Sequence, residues 1–145
     1  MMLKMKVEEH EMAYMEHLEH IKNAIEEGIE KNQRNIGYNI SQGSLELFAI
    51  YLHKLRLIQG SGDQFDHRVF KSKNLLAKKV PADFPSRNEI LEIMKLIEYE
   101  RNALCYGARK LKVRIEKVIM CFNELRKVIN KNLNEINGVK NVAKN

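Results

Sequence analysis

Cysteine, proline and glycine are all scarce in this chain. Of its 145 residues, two are cysteine, two are proline and seven are glycine. Two cysteines are too few for a disulfide framework, and Cys105 and Cys121 would lie roughly 24 Å apart on one helix, so we expect both to be reduced. Pro81 and Pro85 fall in one short polar stretch. Long segments on either side of it are therefore free to form helices.

Long hydrophobic runs are also missing. No stretch approaches the roughly 20 apolar residues that a membrane-spanning helix needs, and the first four residues lack the apolar region of a secretory signal. We therefore expect a cytoplasmic protein without membrane contact. The apolar content of 44% supports one core. This predicts a single domain over residues 1–145, with a core at about 8–136 and a frayed tail at 138–145.

Charge is distributed unevenly along the chain. Residues 1–32 contain four Lys and eight Glu, whereas residues 105–145 contain ten Lys or Arg and three Glu, within a net charge of +6. Two interpretations stay open. The first and last helices could pack side by side or across a dimer, or the basic end could present a surface to the phosphates of a nucleic acid.

Apolar residues recur at helical spacing in most of the chain. A first helix is predicted over 5–31, ended by a loop at 32–37, and a second, more apolar helix over 39–58. Asp63 is a candidate N-cap for a short third helix that ends near Pro81. The residues that carry these patterns are Tyr14, Leu18, Ile21, Ile25 and Ile29 in the first helix, Leu45, Phe48, Tyr51, Leu52 and Leu55 in the second, and Val69, Phe70, Leu75 and Leu76 in the third.

Two further helices are predicted in the second half of the chain. Ser86 and Glu89 have the spacing of a capping box, which predicts a helix start there, and Gly107 allows a break. The last helix begins near Leu111, and Asn137-Gly138 is its predicted stop. No period-two alternation of useful length occurs. The sequence therefore predicts an all-α fold, an antiparallel up-and-down bundle of four long helices and one short helix.

Patterns for common chemistries are missing, and we expect no metal or cofactor. His17 and His20 are close enough to share an ion, but the HExxH pattern is not present, and a solvated helix face explains them. Gly60-Ser61-Gly62 lacks the lysine of a phosphate-binding loop and reads as a turn. His53 and His67 are isolated in the sequence.

The segment 98–107 carries the clearest candidate site. Arg101 lies on or beside the apolar stripe of Ile90, Ile93, Ile97 and Leu104, where an unpaired charge is costly. It could pair with Glu98, Glu100 or a glutamate of another helix and so fix the register. Alternatively, Arg101 and Asn102 could face a cleft and hold a phosphate, whose oxygens match the guanidinium fork.

An arginine followed directly by a polar residue, near the junction of two late helices of an all-α chain, resembles the HEPN domain superfamily over roughly residues 8–136. That family includes the toxins of toxin–antitoxin pairs, and its motif is an arginine, four to six residues, then a histidine. The resemblance implies a homodimer that cleaves RNA without metal at a cleft between subunits. In some relatives a nucleotidyltransferase-type antitoxin is the partner.

Arg101 and Asn102 match the first two motif positions, whereas Tyr106 stands where the histidine is expected. A phenol near pKa 10 is a poor base at neutral pH, which would cost on the order of 10²- to 10⁴-fold in rate. We therefore expect Arg101, Asn102 and Tyr106 to bind RNA or a nucleotide-bearing ligand with impaired or absent cleavage. A structural or protein-interaction bundle is the alternative, and an active ribonuclease that uses His53 or His67 is a third.

Overall fold

The structure, a computed structural model, describes residues 7–59 and 65–143, with side chains up to residue 137. This part of the chain is helical and contains no strand, which confirms the all-α class. The elements in chain order are α1 (Val7–Glu27), α2 (Gln33–Lys54), a 3-10 helix (Val69–Lys71), α3 (Lys73–Lys79), α4 (Arg87–Tyr106) and α5 (Lys112–Ala143).

Helix α2 lies at the centre of the core. It packs against α1, α4 and α5, and fifteen of its residues are buried, as expected for the most apolar predicted helix. Phe48 on α2 is surrounded edge-on by three other rings, with centroid distances of 5.3 to 5.8 Å, from Phe65, Phe70 and Phe84. The aromatic side chains therefore attach the segment between α2 and α4 to the central helix.

The predicted boundary between the first two helices is wrong. Helix α1 ends at Glu27, because Gly28 adopts a φ of +128° that favours glycine. Helix α2 then begins at Gln33, inside the segment predicted as a loop. Gln33, Ile36 and Gly37 are all buried. Tertiary contacts of this first turn outweigh the polar, loop-like composition of 32–37.

One predicted helix cap does not form, and the other lies outside the described residues. Helix α4 begins where the capping box predicts, but Ser86 has a φ of 60° and its side chain caps no amide of the helix. Its hydroxyl instead accepts a hydrogen bond from Asn132 on α5 at 3.0 Å. The proposed cap at Asp63 lies outside the described residues, and α3 is capped by Ser72, which accepts from the Leu75 amide at 3.2 Å.

The ends of α4 and α5 differ in how well the sequence predicts them. The break at Gly107 is confirmed. The stop at Asn137-Gly138 is wrong, since α5 continues to Ala143. Glycine in a helix costs about 1 kcal/mol relative to alanine but does not forbid the helix. In the described part of the chain, no helix has the length and apolar content to cross a bilayer.

Candidate functional site around Arg101

Arg101 is buried on α4, as its place in the apolar stripe predicts. Ile90, Ile97 and Leu104 of that stripe are buried, whereas Ile93 is only partly buried and Met94 is buried beside it. Arg101 exposes only 8% of its surface. The four-three spacing puts the buried residues on the face of α4 that packs against α2. The guanidinium therefore reaches the surface only at its tip.

Arg101 forms no hydrogen bond or ion pair with the described residues, although its charge interacts with that of Glu98. Its enclosed Nε makes no hydrogen bond, and the ion pairs of this part of the chain involve other residues. Glu100, one of the expected partners, binds Arg114 on α5 at 2.8 Å instead. Among the described residues no glutamate forms a salt bridge with Arg101, and its interaction with Glu98 is electrostatic only, so a pair that fixes helix register stays a prediction.

Glu98 lies one turn before Arg101 and is completely buried. Its Oε1 accepts a hydrogen bond from the Ser41 hydroxyl on α2 at 2.7 Å, while its Oε2 has no partner. Burial raises the pKa of Glu98 to about 7, although the Ser41 hydrogen bond and the charges of Arg101 and Lys71 act in the opposite direction. Glu98 is thus mostly protonated below neutral pH.

Arg101 also influences two groups outside its own turn. Burial lowers the pKa of His67, and the positive charges of Arg101 and Lys71 lower it further. Burial raises the pKa of the Cys105 thiol, and Arg101 opposes that shift. The side chains on which Arg101 acts therefore come from α4 and from the residues just before the 3-10 helix.

Asn102 and Tyr106 lie on a different part of the surface from Arg101. Both are exposed, and Tyr106 exposes 74% of its side chain. Successive residues of an α-helix are about 100° apart, so Asn102 and Tyr106 share a side of α4 that is rotated from Arg101 by roughly 100° to 140°. The structure places Arg101 beside Glu98 rather than beside the other two expected site residues.

The end of α4 that carries the site is held by Gln33. Its side-chain amide donates to the carbonyls of Leu104 and Ala108 at 3.1 and 3.2 Å, and its Oε1 accepts from the Lys110 amide at 2.6 Å. One buried side chain thus satisfies three backbone groups between α4 and α5. We call this contact the Gln33 clamp.

Two histidines form polar contacts between α1 and α2. His10 is buried and its Nδ1 lies 2.6 Å from Glu46, and His17 Nδ1 lies 2.9 Å from Asn39. The sequence suggested that His17 belongs to a solvated helix face, but its contact with Asn39 shows that it does not. In the described residues, no group of three or more His, Cys, Asp or Glu side chains could hold a metal ion.

Sequence reasoning missed Ser41 and Gln33 and considered Glu98 only as a salt-bridge partner of Arg101. Glu98 carried a usable signal, because it lies three residues before Arg101 on the same face of α4. Ser41 and Gln33 contact α4 from 57 or more residues away in the sequence, which no local pattern reveals.

The chain matches no family model, no curated protein and no solved structure.

Proposed function

We propose that this protein binds RNA, or another ligand that carries a phosphate, at Arg101. The proposal depends on one observation: a guanidinium that is more than nine-tenths buried and has no hydrogen bond or ion pair among the described residues. A buried charge without a partner is costly to the folded protein. An anion from outside the chain would supply that partner.

The surroundings of Arg101 favour an anionic ligand below neutral pH. Lys71 is exposed and close enough to influence both Glu98 and His67. Protonated Glu98 adds no negative charge that would repel a phosphate. Asp66 also acts on Glu98 and His67, but it is paired with Arg68 at 2.8 Å, so Arg101 and Lys71 leave a locally positive surface.

The HEPN resemblance supports RNA as the ligand and remains a proposal. It requires an antiparallel four-helix bundle, and the contacts His10–Glu46, Ser41–Glu98 and Glu100–Arg114 are consistent with consecutive long helices that run in opposite directions. The family's cleft is shared by two subunits. All residues described around Arg101 belong to one chain, so the binding proposal needs only one subunit, and the shared cleft stays a prediction.

Cleavage by the family mechanism would be impaired or absent in this proposal. Tyr106 is exposed and points away from the face of Arg101, so it does not take the place of the motif histidine beside the guanidinium. His67 is the histidine whose pKa responds to Arg101, which makes it the side chain to test for any residual metal-independent cleavage. Asn102 and Tyr106 are proposed as outer contacts to a longer RNA.

The first test is RNA binding by an Arg101→Ala variant. We expect the parent to bind a mixed single-stranded RNA pool with an affinity that falls steeply as salt rises, and the variant to bind at least about tenfold more weakly. Fluorescence anisotropy over a salt series measures both quantities. The matched control is Lys95→Ala, which removes one positive charge from an exposed position of the same helix.

Two outcomes would contradict the proposal. One is RNA binding by Arg101→Ala that equals the parent's, and the other is an equal loss in Lys95→Ala, which would show that total charge alone is responsible. Incubation of the RNA pool with a chelator present then tests cleavage. Cleavage that is lost in His67→Ala would restore the nuclease assignment and remove the proposal of an inactive site.

The alternative function is a structural or protein-interaction protein without ligand chemistry. The observation that favours it is the number of exposed apolar side chains on the described helices, which include Met12, Met15, Ile25, Leu96 and Met120. If the parent binds neither RNA nor inorganic phosphate at any salt concentration, the structural or protein-interaction function is favoured. A homodimer and a nucleotidyltransferase-type antitoxin are the partners proposed under either function.

A further inference from the structure

A groove runs between α1 and α5 on a part of the surface that does not include Arg101. It consists of two adjoining depressions of about 400 and 430 Å³ that share Ile25 and Ile119. We call it the α1–α5 groove. Its apolar lining comes from both helices and comprises Leu18, Ile21, Ile25, Ile29, Ile119, Met120 and Phe122.

Two apolar side chains of the groove are exposed to solvent, while Ile21 and Phe122 form its buried floor. Ile25 is 41% exposed and Met120 is 68% exposed. Leu18, Ile25 and Ile29, with Lys22 between them, follow each other along α1 at spacings of three and four residues, which is the pattern of a helix-packing seam. A continuous seam that no element of the described chain covers indicates an interface.

The two helices that form the groove have opposite charges. Helix α1 contains seven Glu and one Lys, whereas α5 contains seven Lys or Arg and three Glu. In the described residues no ion pair joins the two helices. Arg126 on α5 instead donates to the Tyr14 hydroxyl at 3.0 Å. The charges that line the groove itself are mixed, with Lys22 and Glu26 on α1 and Lys112, Glu116 and Arg126 on α5, so the opposite charge belongs to the two helices as wholes.

We propose that a second copy of this chain docks on the α1–α5 groove, with α1 of each subunit against α5 of the other. A two-fold axis exchanges the two helices, so that each acidic helix faces a basic one and each apolar seam is covered. The same surface thus supplies both halves of a complementary contact. An unrelated partner would need its own acidic and basic walls in the matching order.

This interface is independent of RNA binding and differs from the shared cleft that the HEPN resemblance implies. Arg101 does not line the groove, so each subunit would keep its Arg101 site outside the contact. A dimer and an RNA-binding surface can therefore be tested separately, and the failure of either leaves the other intact.

The first experiment measures the association state of the full chain by analytical ultracentrifugation. We expect the parent to be a dimer at micromolar concentration and Met120→Lys to associate at least about tenfold more weakly. Leu96→Lys is the matched control, because Leu96 is 48% exposed on α4 and does not line the groove. It should dimerise as the parent does.

A monomeric parent at concentrations of about 100 μM would overturn the proposal. So would a Met120→Lys dimer as tight as the parent, since the contact would then lie elsewhere. Met120 is exposed, and circular dichroism of the variant verifies that the fold is unchanged.

The second experiment tests the exchange of helices directly. Glu26 and Lys112 are exposed and line the groove from α1 and α5. Glu26→Lys and Lys112→Glu should each weaken the homodimer, whereas a mixture of the two variants should form a heterodimer that approaches parental affinity, because both intersubunit charge pairs are restored. A mixture that associates as weakly as its components would overturn the arrangement.

Discussion

The ionisation of Glu98 has a direct consequence for the stability of the folded protein. Its carboxyl group is fully buried with one oxygen unpartnered, and its pKa is raised to about 7 from an ordinary value of 4.5. The folded state therefore holds a proton that the unfolded chain releases at lower pH. Stability is highest below the ordinary pKa and falls as pH rises through about 7.

Replacement of Glu98 by glutamine should remove this dependence on pH. The amide oxygen of the substituted side chain would still accept from Ser41, and no charge would need to be buried. We expect Glu98→Gln to be more stable than the parent by roughly 3 kcal/mol at about pH 8, and to show little gain at about pH 5. Urea unfolding at several pH values measures the difference.

The exposed carboxyl of Glu92, also on α4, provides the control. Glu92→Gln should leave the pH dependence of unfolding as it is in the parent. If Glu98→Gln and the parent lose stability in parallel between about pH 5 and about pH 8, the buried carboxyl is not the cause.

At the same scale, the sequence predicts the burial of Arg101 but not its surroundings. The apolar residues four, seven and eleven positions before it and three after it indicate a buried face, and the structure confirms this. His67, on which its charge acts, and Ser41, which binds the adjacent Glu98, come from distant parts of the chain. The groups that surround a buried guanidinium depend on how the helices pack, and no local sequence pattern shows that packing.

At the scale of elements, α2 and α4 approach each other closely at Gly37. A Cβ atom at Gly37 would lie 2.7 Å from the Leu104 Cβ, which no packed structure tolerates. Gly43 is different, since a Cβ there would meet the His17 Cβ at 3.4 Å and the Phe122 ring at 3.5 Å, within ordinary contact. Close packing therefore requires glycine at position 37 of α2 but not at position 43.

Alanine substitutions should separate these two positions. Gly37→Ala is expected to destabilise the protein by about 1–3 kcal/mol, because α2 and α4 must move apart. Gly43→Ala should be neutral or stabilising by up to about 1 kcal/mol, since alanine favours the helix. Denaturant unfolding of both variants measures the contrast. Equal effects at the two positions would mean that α4 is not held as closely to α2 as the distance indicates.

The sequence predicts which helices exist better than where they begin and end. The long helices are confirmed because their apolar periodicity persists over many turns. The start of α2 was missed because Asn32, Gln33, Arg34 and Asn35 have the composition of a loop. Gln33 is nevertheless helical and buried, since its amide is satisfied by the far end of α4. From the sequence alone, a polar residue that binds buried partners looks the same as a polar residue that faces water.

At the scale of the whole molecule, the core forms one connected cluster that includes residues from α1, α2, α4 and α5 and from the segment between α2 and α4. Polar contacts connect the same elements. The Tyr51 hydroxyl on α2 donates to the Pro85 carbonyl at 2.8 Å and lies 3.1 Å from the Asn132 amide on α5. Burial raises the pKa of Tyr51, as expected for a phenol held in this position.

A single core predicts a single unfolding transition. Far-ultraviolet circular dichroism, which reports the helices, and near-ultraviolet absorbance, which reports tyrosine burial in a chain without tryptophan, should give coincident denaturation curves. Conversion of Asn132 to alanine should lower both midpoints together. Separate transitions would instead show that α1 or α5 unfolds independently of the rest.

The pairing of the long helices is the property of the whole molecule that the sequence predicts least. Opposite charges at the two ends of the chain left two interpretations open, and one of them was contact between the first and last helices. The structure adds that these helices border an apolar groove and form no ion pair with each other in the described residues. Charge alone could not indicate how far apart the two helices lie.

The Gln33 clamp limits where residues can be inserted into this chain. Because one amide side chain reaches both Leu104 and Ala108 and also receives the Lys110 amide, the connection between α4 and α5 has a fixed length. Inserted residues there would separate the three groups. Ala82 and Asp83, by contrast, are exposed in the connection before α4. A peptide tag or an added loop therefore belongs at that earlier connection, where it would leave the Arg101 end of the molecule undisturbed.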